Sequence, residues 1–258
     1  MIREKRLGKF GESRLVRCEF RRAKQRSGYS GRAGEFLSAT EMLKLNFNGR
    51  DRSFRKVLCL GAHSDDIEIG SGGTVLRLLE KNPQLEFYWV VFSSTPKRRQ
   101  EARKSAQKFL KACRSSQIVI LNFRDSFFPY EGARIKRTFE SLKKKFSPDL
   151  ILTHYREDLH QDHRLISELT WNTFRNHLIL EYEILKYDGD LGTPNLFVDL
   201  DEAVCQKKVR NLLESFPSQS TKPWFTEDAF RALLRVRGVE CNAPGKYAEA
   251  FYSRKALL

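Results

Sequence analysis

From residue 56 onward the sequence alternates between short apolar runs and stretches of helical spacing, and that alternation restricts the fold more than any other feature. V-L-C-L-G-A (57–62), L-E-F-Y-W-V-V-F (85–92), Q-I-V-I-L-N (117–122) and L-I-L-T (150–153) are short and rich in branched and aromatic residues. Runs of this kind read as buried strands. Between them lie T-V-L-R-L-L-E (74–80) and residues 98–113, where Ala102, Ala106, Phe109, Leu110 and Cys113 share one helix face. Ile135, Phe139, Leu142 and Phe146 repeat the spacing before S-P-D closes the segment. Strands alternating with helices of this length, joined by right-handed crossovers, make a parallel sheet covered on both faces. The predicted class is α/β: Rossmann-like, a mostly parallel sheet with helices on both faces. Beyond residue 178 the pattern loosens. Residues 179–185 and 195–200 read as strands and 201–216 and 226–237 as helices, while Y-A-E-A-F-Y (247–252) reads equally as strand or helix.

Hydrophobic residues make up 40% of the 258 and aromatics 12%, which excludes a disordered chain. No apolar run approaches the ~20 residues of a membrane span. The first residues lack the apolar core of a secretory signal. Five cysteines, at 18, 59, 113, 205 and 241, are scattered and never form C-x-x-C. They fit neither a disulfide framework nor a cysteine zinc site, and a cytoplasmic location is expected.

The net charge of +15 is unevenly spread: residues 1–56 carry 16 Lys/Arg against 6 Asp/Glu, residues 57–258 carry 31 against 26. Residues 1–55 are therefore read as a basic N-terminal extension, and 56–258 as one domain. A solvated tail, or sequence upstream of a start at Met42, stands ahead of a nucleic-acid-binding arm. A nucleic-acid module would leave the histidine clusters unexplained, and a nucleotide-binding reading lacks G-x-G-x-x-G after the first strand.

Four of the five histidines sit in two acidic clusters. A-H-S-D-D-I-E-I-G-S-G-G (62–73) follows the first strand and H-Y-R-E-D-L-H-Q-D-H-R (154–164) follows the fourth. Ligands of open parallel sheets bind beyond the carboxyl ends of the strands, so the two clusters are expected to meet there. Imidazole and carboxylate are the zinc ligands available without cysteine. His63 and Asp66, three residues apart, and His163 from the second cluster supply three ligands and leave a position open, as catalytic zinc sites do. Asp65 is not needed for coordination and suits a general base for water. His160, in protonated form, suits an acid or oxyanion role. Asp162 either orients a neighbouring histidine or caps the helix beginning near His163. The glycines of G-S-G-G fit a close-packed strand-to-helix turn or, more weakly, a phosphate loop.

The pair H-S-D-D and H-Q-D-H, with Y-A-E-A-F (247–251) in the same order, resembles the PIG-L/LmbE family of zinc-dependent N-acetylglucosaminyl deacetylases, over roughly residues 56–258. That family's first motif usually reads H-P-D-D-E. Here Ser64 replaces the proline and Ile67 the glutamate, with Glu68 following. The resemblance implies hydrolysis of an N-acetyl group on an amino sugar or its conjugate. It assigns His63, Asp66 and His163 to Zn2+, Asp65 to the base and His160 to the acid or oxyanion role. Other divalent ions suit the same donors, and a non-sugar amide is the alternative substrate. Arg98, Arg124 and Asp125, after the second and third strands, are candidate substrate contacts. His154 and the polar loop at 187–190 line the pocket or serve only structure. His177, Trp89, Trp171 and Phe174 are read as structural. No stable membrane insertion and no nucleic-acid partner are expected.

Overall fold

The computed structural model describes residues 54–256. All but the last two residues of the basic extension, Met42 included, lie outside them. The elements are β1 (Lys56–Gly61), α1 (Asp66–Lys81), β2 (Glu86–Ser93), α2 (Pro96–Phe109), β3 (Ser115–Phe123), α3 (Gly132–Lys145), β4 (Leu150–His154), α4 (Gln161–Thr173), β5 (Leu178–Tyr182), β6 (Leu196–Leu200), α5 (Glu202–Ser215), α6 (Glu227–Glu240) and β7 (Tyr247–Tyr252).

One seven-stranded sheet has the order β3-β2-β1-β4-β5-β7-β6. The strands from β1 to β5 pair in parallel, and β7 runs antiparallel between β5 and β6. Y-A-E-A-F-Y is thus a strand, and the expected mixed, mostly parallel α/β sheet is the one found. Alternate side chains of a strand face opposite sides. Val57, Cys59, Phe87 and Trp89 join the core under α1, α2, α5 and α6. Leu58, Leu60, Tyr88 and Val90 join Ile135, Phe139 and Ile166 of α3 and α4 on the other face. Both sheet faces are therefore covered, which is why the central strands carry almost no polar residue.

Helix α1 begins at Asp66, eight residues before the T-V-L-R stretch in which helical spacing is legible. Gly70, Gly72 and Gly73 lie inside it and do not form a turn. A Cβ at Gly70 would stand 2.1 Å from the Tyr182 ring, one at Gly72 2.6 Å from Phe109, and one at Gly73 2.5 Å from Leu200. Their lack of side chains lets α1 lie against its neighbours, which packing requires and periodicity does not reveal. Glu249 of β7 anchors the same stretch, accepting the N–H groups of Gly73 (2.7 Å) and Thr74 (2.6 Å) and the Lys208 ammonium (2.6 Å).

The strand order reverses between β1 and β4, which are neighbours although their sequences lie about ninety residues apart. The loops after these two strands open side by side at the carboxyl edge, the place where open α/β sheets hold their ligands.

Candidate active site

Only four residues separate β1 from α1, so His63 to Asp66 are stretched over the sheet edge. The Asp66 carboxylate turns back and accepts the His63 N–H at 2.6 Å. After β4, the chain makes a loop and enters α4 at Gln161. The cap of that helix is His160, whose Nδ1 accepts the Asp162 N–H at 3.2 Å. Asp162 is therefore not the cap, because its side chain faces away from the helix end. Its carboxylate, fully buried, accepts the N–H groups of Ser126 (2.7 Å) and Phe128 (3.1 Å) and lies 3.2 Å from Nε2 of His63. Ser126 has φ of 64°, and this left-handed turn aims its N–H at Asp162.

The two loops bring three donor atoms together. Nδ1 of His63 lies 3.1 Å from Nε2 of His163 and 3.4 Å from Oδ2 of Asp66, and the last two are 3.5 Å apart. A tetrahedral ion with bonds of ~2.0–2.1 Å sets its ligand atoms ~3.3 Å apart, so the triangle fits a zinc-sized cation. Ring tautomers agree with that use. Nε2 of His63 faces Asp162 and, at 3.2 Å, Oδ1 of Asp125, which leaves Nδ1 for the ion. Nδ1 of His163 lies 2.9 Å from Oδ2 of Asp158, which leaves its Nε2. Carboxylates that hold the far nitrogen of a ligand histidine fix its orientation and raise its basicity.

Burial opposes ionisation of Asp66, yet His163, His154 and His63 hold its carboxyl well below the usual range. Burial also disfavours charge on His63, but Asp66, Asp125 and Asp162 raise its pKa well above the ordinary imidazole value. Burial, and then His154, bring His163 down to about 3, so its Nε2 lone pair is open at neutral pH. Burial and then His63 also lower His160. With Nδ1 accepting, its Nε2 carries the proton, and the ring lies 4.8 Å from His63 and 4.6 Å from His163 between centroids.

Asp65, buried beside this group, is pushed up by burial, against the pull of Arg98, whose Nη2 donates to its Oδ1 at 2.6 Å. Arg98 is thus turned onto Asp65. Arg124 lies over the Phe127 ring at 3.5 Å. Asp125 is exposed but meets His63, which draws its pKa down to about 2. Of the three candidate substrate contacts, only Asp125 reaches the donor triangle.

Three residues of the site went unassigned in the sequence. His154, at the end of β4, is fully buried; its Nε2 lies 3.1 Å from Oδ2 of Asp66 and accepts the Ala62 N–H at 2.9 Å. These contacts make His154 a wall of the site. Asp158 lies within the second motif, five residues before His163, and its acidity was the available signal. Lys186 gave no sequence signal; its ammonium lies 3.1 Å from Asp158 and also pairs with Asp190, which accepts the Leu159 N–H at 2.7 Å. The 187–190 loop is in this way tied to the site. His177 lies at the edge of Phe174, 5.3 Å between ring centroids, apart from the cluster.

Residues 58–174 match the family model described as PIG-L: GlcNAc-PI de-N-acetylase. Among solved structures, a conserved protein from Thermus thermophilus is similar at 21% identity and a TM-score of 0.63, over 78% of this chain and 96% of that one. N,N'-diacetylchitobiose deacetylase from Pyrococcus horikoshii is similar at 22% identity and a TM-score of 0.60, over 78% and 84%. The 4-carboxy-2-hydroxymuconate hydratase of Pseudomonas putida matches at 16% identity and a TM-score of 0.62, over 79% and 98%. These likenesses are of fold, and a deacetylase and a hydratase both use it. The matched segment, similar to the PIG-L family model, contains both histidine motifs and the whole donor triangle.

Proposed function

We propose that residues 56–258 form a metal-dependent hydrolase that removes the N-acetyl group of an amino sugar or sugar conjugate, releasing acetate and a free amine. The observation that carries this reading is the triangle of His63 Nδ1, Asp66 Oδ2 and His163 Nε2, with the carboxylate of the adjoining Asp65 unspent on it. The choice of an N-acetyl sugar is supported by the family description and by the chitobiose deacetylase neighbour.

His63, Asp66 and His163 would hold the ion, and zinc suits their donors. When bound, it acidifies water and polarises a carbonyl. Asp65 takes the proton of the attacking water and returns one to the departing nitrogen. His160 donates its Nε2–H toward the carbonyl oxygen as negative charge builds there. Asp158 and Asp162 keep the two ligand imidazoles turned the right way. Phe127, Tyr130, Leu159, Tyr187 and Leu191 are exposed in loops after β3, β4 and β5, at the edge that holds the site. Such a rim suits a conjugate with an apolar part better than a free sugar. Among the described residues no helix is long and apolar enough to cross a membrane.

The test is metal content of the purified protein, with acetate release from N-acetylglucosamine conjugates measured before and after chelation. About one ion per chain and release abolished by chelator are expected. Metal without release from sugar or simple amide substrates would turn the assignment toward other chemistry on this fold, such as hydration.

A further inference from the structure

A buried ion pair from the second half of the chain is inserted beside the hydrogen-bond ladder of α1. Nζ of Lys208, in α5, donates to the Ile69 carbonyl at 2.6 Å and to Oε1 of Glu249, in β7, at 2.6 Å. Oε1 and Oε2 of Glu249 accept the N–H groups of Gly73 (2.7 Å) and Thr74 (2.6 Å). In a regular α-helix those two N–H groups would be spent on the carbonyls of Ile69 and Gly70. The pair therefore takes up both halves of one ladder position, the donor of Gly73 and the acceptor of Ile69. Both side chains are 2% exposed. Gly73 makes the approach possible, since a Cβ there would stand 3.0 Å from Oε1 of Glu249. The glycine run thus receives an anion, and the chain itself supplies it.

Taking two charges out of water is costly, and packed apolar side chains of similar volume often hold a fold at least as well. Stability is therefore a poor account of this pair, and its position offers a better one. The Ile69 N–H donates to the Asp65 carbonyl at 3.0 Å. The Lys208 ammonium thus sits one residue's hydrogen bonds away from the backbone that carries Asp65 and the adjoining Asp66. Lys208 and Glu249 both lie beyond the matched segment 58–174. Glu249 is the carboxylate of Y-A-E-A-F, to which the chemistry at the sheet edge gives no task.

We infer that Lys208 and Glu249 are positioning residues for the metal centre, holding the first turn of α1 at the angle from which Asp66 reaches His63 and His163. Without the pair, the Gly73 N–H and the Ile69 carbonyl have only each other to bond. The ladder then closes, and the first turn carries Asp66 away from the two imidazoles. The inference rests on the reading of Asp66 as a metal ligand. It makes the C-terminal strand part of the support of a site whose donors all lie in the first two thirds of the chain.

The experiment compares the full-length wild type with the double variant Lys208→Met, Glu249→Leu. These replacements keep the side chains close in volume and leave no lone charge in the core. Crystal structures give the position of Asp66, and competition with a chromogenic chelator gives the affinity for zinc. Urea unfolding establishes that the variant is folded under the assay conditions. Oδ2 of Asp66 should move away from Nε2 of His163, and zinc affinity should fall about 10- to 100-fold, the range for groups that orient metal ligands.

A pair that serves the fold alone would leave Asp66 and the zinc affinity as they are, and that result overturns the inference. So does a fall in affinity with Asp66 unmoved. If the wild type binds no zinc, the proposed function fails instead, and the position of Asp66 in the two crystals still decides this point. Should the double variant not fold, Glu249→Gln carries the same readouts with a smaller fall, because it keeps the shape but offers one accepting oxygen to three donors.

Discussion

Oδ2 of Asp158 lies 2.9 Å from Nδ1 of His163, so a carboxylate five residues away in sequence decides which nitrogen of that ring faces the donor triangle. Asp158 is itself held by Lys186 at 3.1 Å and accepts the His160 N–H at 2.7 Å. Replacing it by Ala frees the His163 ring and leaves Lys186 without its partner. Metal affinity of Asp158→Ala, measured by competition with a chromogenic chelator, should fall ~10- to 100-fold. Unchanged affinity would remove Asp158 from the support of the site.

Metal binding should expel a proton. In the ion-free protein His63 carries both ring protons at neutral pH, because Asp66, Asp125 and Asp162 outweigh burial and raise its pKa. Coordination through Nδ1 requires the loss of one of them. Calorimetric titration with zinc at pH 7, in buffers of different ionisation enthalpy, should show about one proton released per ion. The release should decline once pH passes the raised pKa. Zero release at pH 7 would mean that His63 is already neutral in the ion-free protein.

Asp65→Asn keeps the size of the side chain but cannot accept a proton. Metal content should stay at the wild-type level, and turnover should drop ~10²- to 10⁴-fold, the usual share of a general base. Full activity in this variant would rule Asp65 out as the base.

Glu68 follows the first motif and is fully buried, and among the described residues neither of its carboxyl oxygens has a hydrogen-bond partner. Burial pushes its pKa up to about 8. The folded protein then binds a proton that the unfolded chain releases above its own carboxyl pKa of ~4.3. Between these two values folding takes up a proton, so stability falls as pH rises through the window and levels off above about 8. Glu68→Gln cannot ionise. Its urea-unfolding free energy should match the wild type near pH 4 and exceed it by on the order of 3 kcal/mol at pH 7. Parallel curves across that range would sink the idea.

Gly70→Ala introduces a Cβ 2.1 Å from the Tyr182 ring, whose hydroxyl donates to the Leu60 carbonyl at 2.6 Å and lies 3.3 Å from Nε2 of His154. Neither the ring nor the β1 edge can shift without disturbing the wall of the site. A destabilisation of about 1–3 kcal/mol by urea unfolding is expected, typical of overpacking. A variant as stable as the wild type would show that α1 has room to move.

The sequence by itself determined the sheet and the chemistry of its edge. Buried strands of a parallel sheet must be apolar on both faces, so β1, β2 and β4 stand out as short hydrophobic runs, and the crossover helices between them keep a single apolar stripe. His63, Asp66 and His163 were legible because histidines and carboxylates crowd into just the two loops that such a sheet brings together. What only the tertiary structure decided are relations between residues far apart in the chain. That α1 begins at Asp66 and contains three glycines follows from Tyr182, Phe109 and Leu200 lying against it. Asp162 serves His63 instead of a helix end because its carboxylate faces the backbone of the β3–α3 loop. Arg98 of α2 meets Asp65 after β1 and Ser218 after α5. The choices of hydrogen-bond partner, ring tautomer and charge state arise from distances of about 3 Å between segments up to a hundred residues or more apart, and local spacing carries no record of them.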